Sequence, residues 1–196
     1  FLTLPASAAL LIASEEIISA LFGYGSFNEV SVANSGKALY YFALGLPAFS
    51  LIKVFSSFFF ANHDTKIPFY ISLFSVLINI VISISYFNEI GFIIIPIATT
   101  ISSWLNAILL FAFLKNRNLF SFNNIFLVRF VKIIVASLLM AIFFNFLITY
   151  FKYELAFNQN IKSFYLILSV ILSLLFYLFV SYWIKAFKTS DIKLKY

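Results

Sequence analysis

Long apolar runs separated by short polar breaks dominate this chain, and their lengths decide its solvent. Six runs stand out, at about 1 to 23, 36 to 61, 68 to 87, 91 to 114, 127 to 150 and 163 to 185. Each has roughly the 20 residues an α-helix needs to cross a hydrocarbon core of about 30 Å. Inside lipid only helices or a closed barrel satisfy their own backbone, and runs of this length predict helices rather than the short alternating strands of a barrel. The pattern therefore predicts an all-α membrane protein, a bundle of six transmembrane helices. The breaks carry turn chemistry. Gly23 and Gly25 stop the first run, Asn62-His63-Asp64-Thr65 ends the second, and Pro68 restarts the chain in a first helical turn. Asn88-Glu89-Ile90-Gly91 reads as a tight turn, and the longer polar loops are Lys115 to Asn124 and Lys152 to Lys162.

Composition agrees with the pattern. Hydrophobic residues make up 63% of the 196 positions and charged residues 10%, against about 25% charged in soluble domains. With no cysteine in the chain, disulfide frameworks and thiolate metal sites are excluded. The first residue is Phe1 and no basic segment precedes the first run, so that run is not read as a signal peptide; the chain is expected to be the tail of a longer protein.

The net charge of +6 does not point to nucleic acid, because the basic residues lie in short loops and not along one stripe. Lys66, Lys115, Arg117, Arg129, Lys132, Lys185, Lys188, Lys193 and Lys195 fall on one side of the predicted membrane, and Lys37, Lys152 and Lys162 on the other. The positive-inside rule then puts the 62 to 67 loop, the 115 to 126 loop and the C-terminus in the cytoplasm. Tyr40, Tyr41, Tyr150, Tyr153, Tyr182 and Trp183 fall near the expected interfaces.

Few residues inside the runs carry chemistry. Pro47 interrupts the second, removing one backbone donor and crowding the carbonyl of Ala43, so a kink is expected there, with Gly45 letting a neighbouring helix approach. Pro96 is expected to kink the fourth run in the same way. Lys53 lies about 12 Å from the end of its run at 1.5 Å per residue; it either faces a cavity or partner or snorkels to the headgroups. Glu15 and Glu16 sit near the end of the first run and either join a pathway or reach water.

Ser72, Ser75, Asn79 and Ser83 share one helical face, and Thr99, Ser102 or Ser103, and Asn106 share another. If the tight turn makes these helices antiparallel neighbours, the stripes meet. Interhelical hydrogen bonding, worth about 0.6 kcal/mol per pair, is the favoured reading, and a set of oxygen ligands for a hard cation is the other. The chain has a single histidine, His63, no cysteine, no HExxH or GxSxG motif and no phosphate-cradling glycine loop, and Asp64 alone does not serve, so covalent catalysis is not expected.

Leu21-Phe22-Gly23-Tyr24-Gly25-Ser26-Phe27 resembles an LFxxGxF element of the MurJ (MviN) family of lipid II flippases. Tyr41 to Pro68, YFALGLPAFSLIKVFSSFFFANHDTKIP, is similar to that family's kinked helix and the loop after it. Ser102 to Ala107, SSWLNA, followed by Leu114 to Arg117, resembles a third element. The resemblance implies about helices 9 to 14 of a fourteen-helix exporter-superfamily fold. Residues 1–118 would be four helices of the C-terminal lobe, and 119–196 two groove helices for a lipid tail plus a cytoplasmic tail. It also implies flipping of lipid II, the undecaprenyl-linked peptidoglycan precursor, across the bacterial inner membrane by alternating access. Expected partners are that substrate, membrane lipids and the N-terminal half of the same protein, whose helices carry the family's cavity arginines. Sodium is the one cofactor implied, held by Asn79, Ser83, the Ile95 carbonyl and Thr99, although Ser83 lacks the family's carboxylate. Lys53 and Asn106 are the candidate pathway residues.

Overall fold

In a computed structural model the described residues are 1–117 and 124–186, with the side chains of residues 124 and 125 left aside. Lys188, Lys193, Lys195, the tail and residues 118–123 of the 115 to 126 loop lie outside them. The described residues are helical: α1 (Thr3–Ile12), α2 (Ser14–Phe22), α3 (Glu29–Ala61), α4 (Lys66–Ile90), α5 (Ile94–Asn116), α6 (Asn124–Tyr150) and α7 (Lys162–Trp183). Apolar stretches long enough to span a membrane are Glu29–Ala61, Lys66–Asn116, Phe126–Tyr150 and Lys162–Trp183, and the α1–α2 pair adds a bent fifth. Lys66–Asn116 folds back on itself, because Asn79 meets Thr99 and Ser102 while Ser72 meets Asn106. It is therefore two antiparallel helices, and the six expected spans are accounted for.

Two expectations about helix shape are corrected. The first run is not one helix: α1 and α2 meet at Ala13 with a bend of 81°. Ser14, Glu15 and Glu16 open α2, where the carboxylates complement the positive end of the helix dipole. Pro96 does not kink its helix. It is the third residue of α5, where the missing amide has no intrahelical partner to lose. Pro5 and Pro68 hold the same position in α1 and α4, so Pro47 is the one proline interior to a helix. The turn expected at residues 88 to 91 lies slightly later, at Gly91–Ile93, with Gly91 at φ +73°.

The chain forms two compact units. The described residues 1–36 and 124–186 pack around Met140 and Phe144 of α6, Leu166 and Tyr177 of α7, and Ala13 and Ala20. The described residues 37–117 pack around Phe55 and Phe59 of α3, Ile71 of α4, and Leu110 and Leu114 of α5. Many large apolar side chains stay on the surface, Ile84 at 72%, Ile142 at 68% and Phe179 at 67% exposed. Water would penalise such a surface at about 25 cal/mol per Å², whereas lipid does not.

Candidate functional site

Pro47 is where α3 and α5 are joined. A proline cannot donate to the residue four positions earlier, and the helical ladder around it is disturbed. Two side chains of α5 supply donors to this stretch of α3. The Thr100 hydroxyl donates to the Tyr41 carbonyl at 2.6 Å, and the Trp104 indole N–H to the Leu44 carbonyl at 3.0 Å. Gly45 makes the approach possible, since a Cβ there would sit 3.0 Å from the Thr100 hydroxyl. The sequence motifs YFALGLPA and SSWLNA, over 50 residues apart, thus border one contact between two helices.

The next pair of motifs meets at the helix ends. Asp64 accepts from the Lys66 and Ile67 amides at 3.1 and 3.3 Å, capping the start of α4, and its other oxygen accepts from Arg117 at 2.6 Å. Before it, α3 closes with a bond from the Asp64 amide to the Phe59 carbonyl, and His63 takes the left-handed position at φ +57°. His63 is a turn residue here.

Between α4 and α5 the two polar stripes do meet. The Asn79 amide nitrogen donates to Thr99 Oγ1 at 3.1 Å and to Ser102 Oγ at 3.2 Å, and Thr99 Oγ1 donates to the Ile95 carbonyl at 2.8 Å. Three of the four candidate sodium ligands, Asn79, Thr99 and the Ile95 carbonyl, are therefore linked. The fourth, Ser83, has a buried hydroxyl with no partner among the described residues. These groups are neutral oxygens and amides, a donor set that fits a weakly held monovalent cation better than a divalent one. Asn106 is buried, its amide nitrogen 3.4 Å from Ser72 Oγ and its amide oxygen without a partner among the described residues. Lys53 is exposed on α3; its backbone carbonyl accepts from the Ser57 hydroxyl, and its ammonium makes no hydrogen bond or ion pair among the described residues. Glu15 and Glu16 lie on α2 in the other unit.

In the unit of residues 37–117 an open cavity of about 640 Å³ is lined by Ser56 and Phe60 of α3 and by Lys66, Pro68, Phe69 and Ser72 of α4. In the other unit an almost wholly apolar cavity of about 240 Å³ lies among Pro5 and Ala9 of α1, Met140 and Phe144 of α6, and Val170 and Tyr177 of α7.

Sequence reading missed the role of Lys162. Its position in the sequence marks it only as a topology charge at the membrane boundary, yet it is 1% exposed. Its ammonium donates to the Gly23 carbonyl at 2.7 Å and the Phe157 carbonyl at 2.8 Å, and lies 4.4 Å from the centre of the Tyr24 ring. The adjacent Ser163 donates to the Ala20 carbonyl and pairs with the Tyr24 hydroxyl. Together they clasp the end of α2 to the start of α7. One signal was available: a cation at the first residue of a helix opposes the dipole, so something else must hold it.

Comparison with known proteins fits this architecture. The family profile described as "Lipid II flippase MurJ" matches residues 1–166. A probable lipid II flippase MurJ of Rhizobium meliloti is 40% identical over 141 residues, which are 72% of this chain and 26% of that protein. The corresponding protein of Rickettsia prowazekii is 38% identical over 112 residues, 57% of this chain and 22% of its own length. Among solved structures, a lipid II flippase MurJ in an inward closed conformation superposes with a TM-score of 0.75 at 26% identity, over 93% of this chain and 36% of that one. The chain spans about a quarter to a third of the length of the relatives it matches. With a family profile covering most of the chain and the same helices in the same fold, this multi-pass membrane chain belongs to the MurJ lipid II flippase family.

Proposed function

We propose that the chain is the C-terminal part of a transporter that flips lipid-linked peptidoglycan precursor across the bacterial inner membrane. The observation that carries this reading is the family match over residues 1–166. In this reading residues 1–118 belong to the C-terminal lobe and 119–196 form the groove helices and a cytoplasmic tail. The excess of Lys and Arg on one side supports a cytoplasmic C-terminus. The apolar cavity of about 240 Å³ against α6 and α7 suits a lipid tail.

Lys53 and Asn106 are assigned to the substrate pathway: one is a cation within a span, the other a buried amide with a free oxygen. Sodium, where used, would be held by Asn79, Ser83, the Ile95 carbonyl and Thr99. Its entry down a gradient supplies free energy, as about 2.3 kcal/mol per charge across 100 mV illustrates. The chain's own part is to present neutral oxygens on two packed helices.

Expressed as its complete reading frame, the protein is expected to rescue bacteria depleted of their lipid II flippase. Failure of a well-expressed, membrane-inserted protein would overturn the reading in favour of another lipid exporter. Lys53→Ala should impair rescue more than Lys53→Arg. Equal, near-normal growth of both variants would remove Lys53 from the pathway.

A further inference from the structure

One cavity has no part in the proposed transport. It holds about 350 Å³ and is lined by Glu15, Glu16 and Ser19 of α2, Glu29 and Val32 at the start of α3, and Phe157 between α6 and α7. Gly36 lets α3 lie against α2 here, because a Cβ would come within 2.6 Å of the Glu15 side chain. Three carboxyl groups therefore border one opening, and none of them makes an ion pair among the described residues. Lys162 is committed to the carbonyls of Gly23 and Phe157.

Ser19 supplies an independent sign of a ligand. It lines the cavity and is 6% exposed, and its hydroxyl has no partner among the described residues. Leaving a buried hydroxyl unpaired costs about 1–3 kcal/mol, which a hydrogen-bonding group bound in the cavity would relieve. A bound group that donates hydrogen bonds and carries positive charge would answer both the hydroxyl and the carboxyls.

We propose that this cavity binds a primary ammonium group. A divalent metal needs several oxygens converging at about 2.0–2.6 Å, and no three acidic or histidine side chains converge closely enough among the described residues. An ammonium has three donors, each reaching an acceptor about 2.9 Å away, so it tolerates acids spread around a wider opening. Its carbon chain suits Val32 and Phe157, and the Phe157 ring already lies 4.6 Å from one ammonium, that of Lys162. The cavity borders the segment joining α6 to α7, at the boundary of membrane and water, where both ethanolamine headgroups and soluble polyamines have access.

The test uses the full-length protein in nanodiscs of mixed phosphatidylethanolamine and phosphatidylcholine, with retained lipid measured by native mass spectrometry and spermidine binding by titration. Phosphatidylcholine is the control because its trimethylated nitrogen cannot donate. Retention of phosphatidylethanolamine over phosphatidylcholine by about fivefold or more, equivalent to about 1 kcal/mol, and its loss in Glu16→Gln support the site with a lipid source. One equivalent of spermidine, lost in Glu16→Gln, without lipid selectivity supports it with a soluble source. Glu29→Gln serves as a second variant should Glu16→Gln fail to insert. Equal lipid retention with no saturable spermidine binding overturns the proposal. So does a Glu16-dependent thermal shift with calcium where neither amine binds.

Discussion

Gly45 illustrates how one missing side chain organises its surroundings. Its bare Cα lets Thr100 reach the Tyr41 carbonyl, and Gly45→Ala is expected to push Thr100 away and destabilise the protein by about 1 kcal/mol, read as a lower thermal midpoint in detergent. Lys162 has higher stakes, because two backbone carbonyls depend on it. Lys162→Met keeps the apolar stem but strands both acceptors, and a loss of about 2–4 kcal/mol follows, measurable by the same assay. Asp64 is the residue with a pH signature. Desolvation, the largest single influence, pushes its carboxyl up, but the Ile67 amide, the Arg117 guanidinium and the Lys66 amide together hold it below the ordinary value of 3.8. A carboxyl with a lowered folded pKa contributes stability above its unfolded pKa, and loses it as pH falls through the folded value. The protection of the Lys66 and Ile67 amides against hydrogen exchange, relative to the intrinsic rate at each pH, should therefore fall below about pH 4, and Asp64→Asn should abolish that acid-side change. Gly45 and Asp64 were conspicuous in the sequence by residue type, but which groups they would meet was not.

Helix ends and breaks were legible where local chemistry is strong. The stop after Ala61 and the restart at Lys66 need only the Asn-His-Asp-Thr segment and a first-turn proline. The break at Ala13 was missed because it falls inside a continuous apolar run, where the hydropathy that identifies a span averages it away. Its local signal was Ser14-Glu15-Glu16, a helix-opening triplet. The α4–α5 seam was legible as two stripes, since serine, threonine and asparagine at helical spacing define faces before any packing is known. Asn79→Ala removes two hydrogen bonds, at about 0.6 kcal/mol each, and a fall in midpoint corresponding to about 1 kcal/mol is expected. If rescue fails while the variant protein remains abundant, the seam serves transport as well as packing; reduced abundance alone marks it as packing.

At the scale of the whole molecule, the proposed orientation has a direct test, because the chain contains no cysteine to confuse labelling. Asn62→Cys is expected to react only with a reagent admitted to the cytoplasm, and Gln159→Cys only with one outside; the opposite pattern would invert the topology. By itself the sequence determined the solvent, the spans and the polar faces, because burial in lipid is decided segment by segment from length and hydropathy. Only the tertiary structure decided the bend at Ala13, the burial of Lys162, and the matching of Thr100 with Tyr41. Those outcomes depend on distances between residues as far apart as 23 and 162. A hydrogen bond fails beyond about 3.5 Å, so no pattern along the chain can specify it until packing has brought the two ends together.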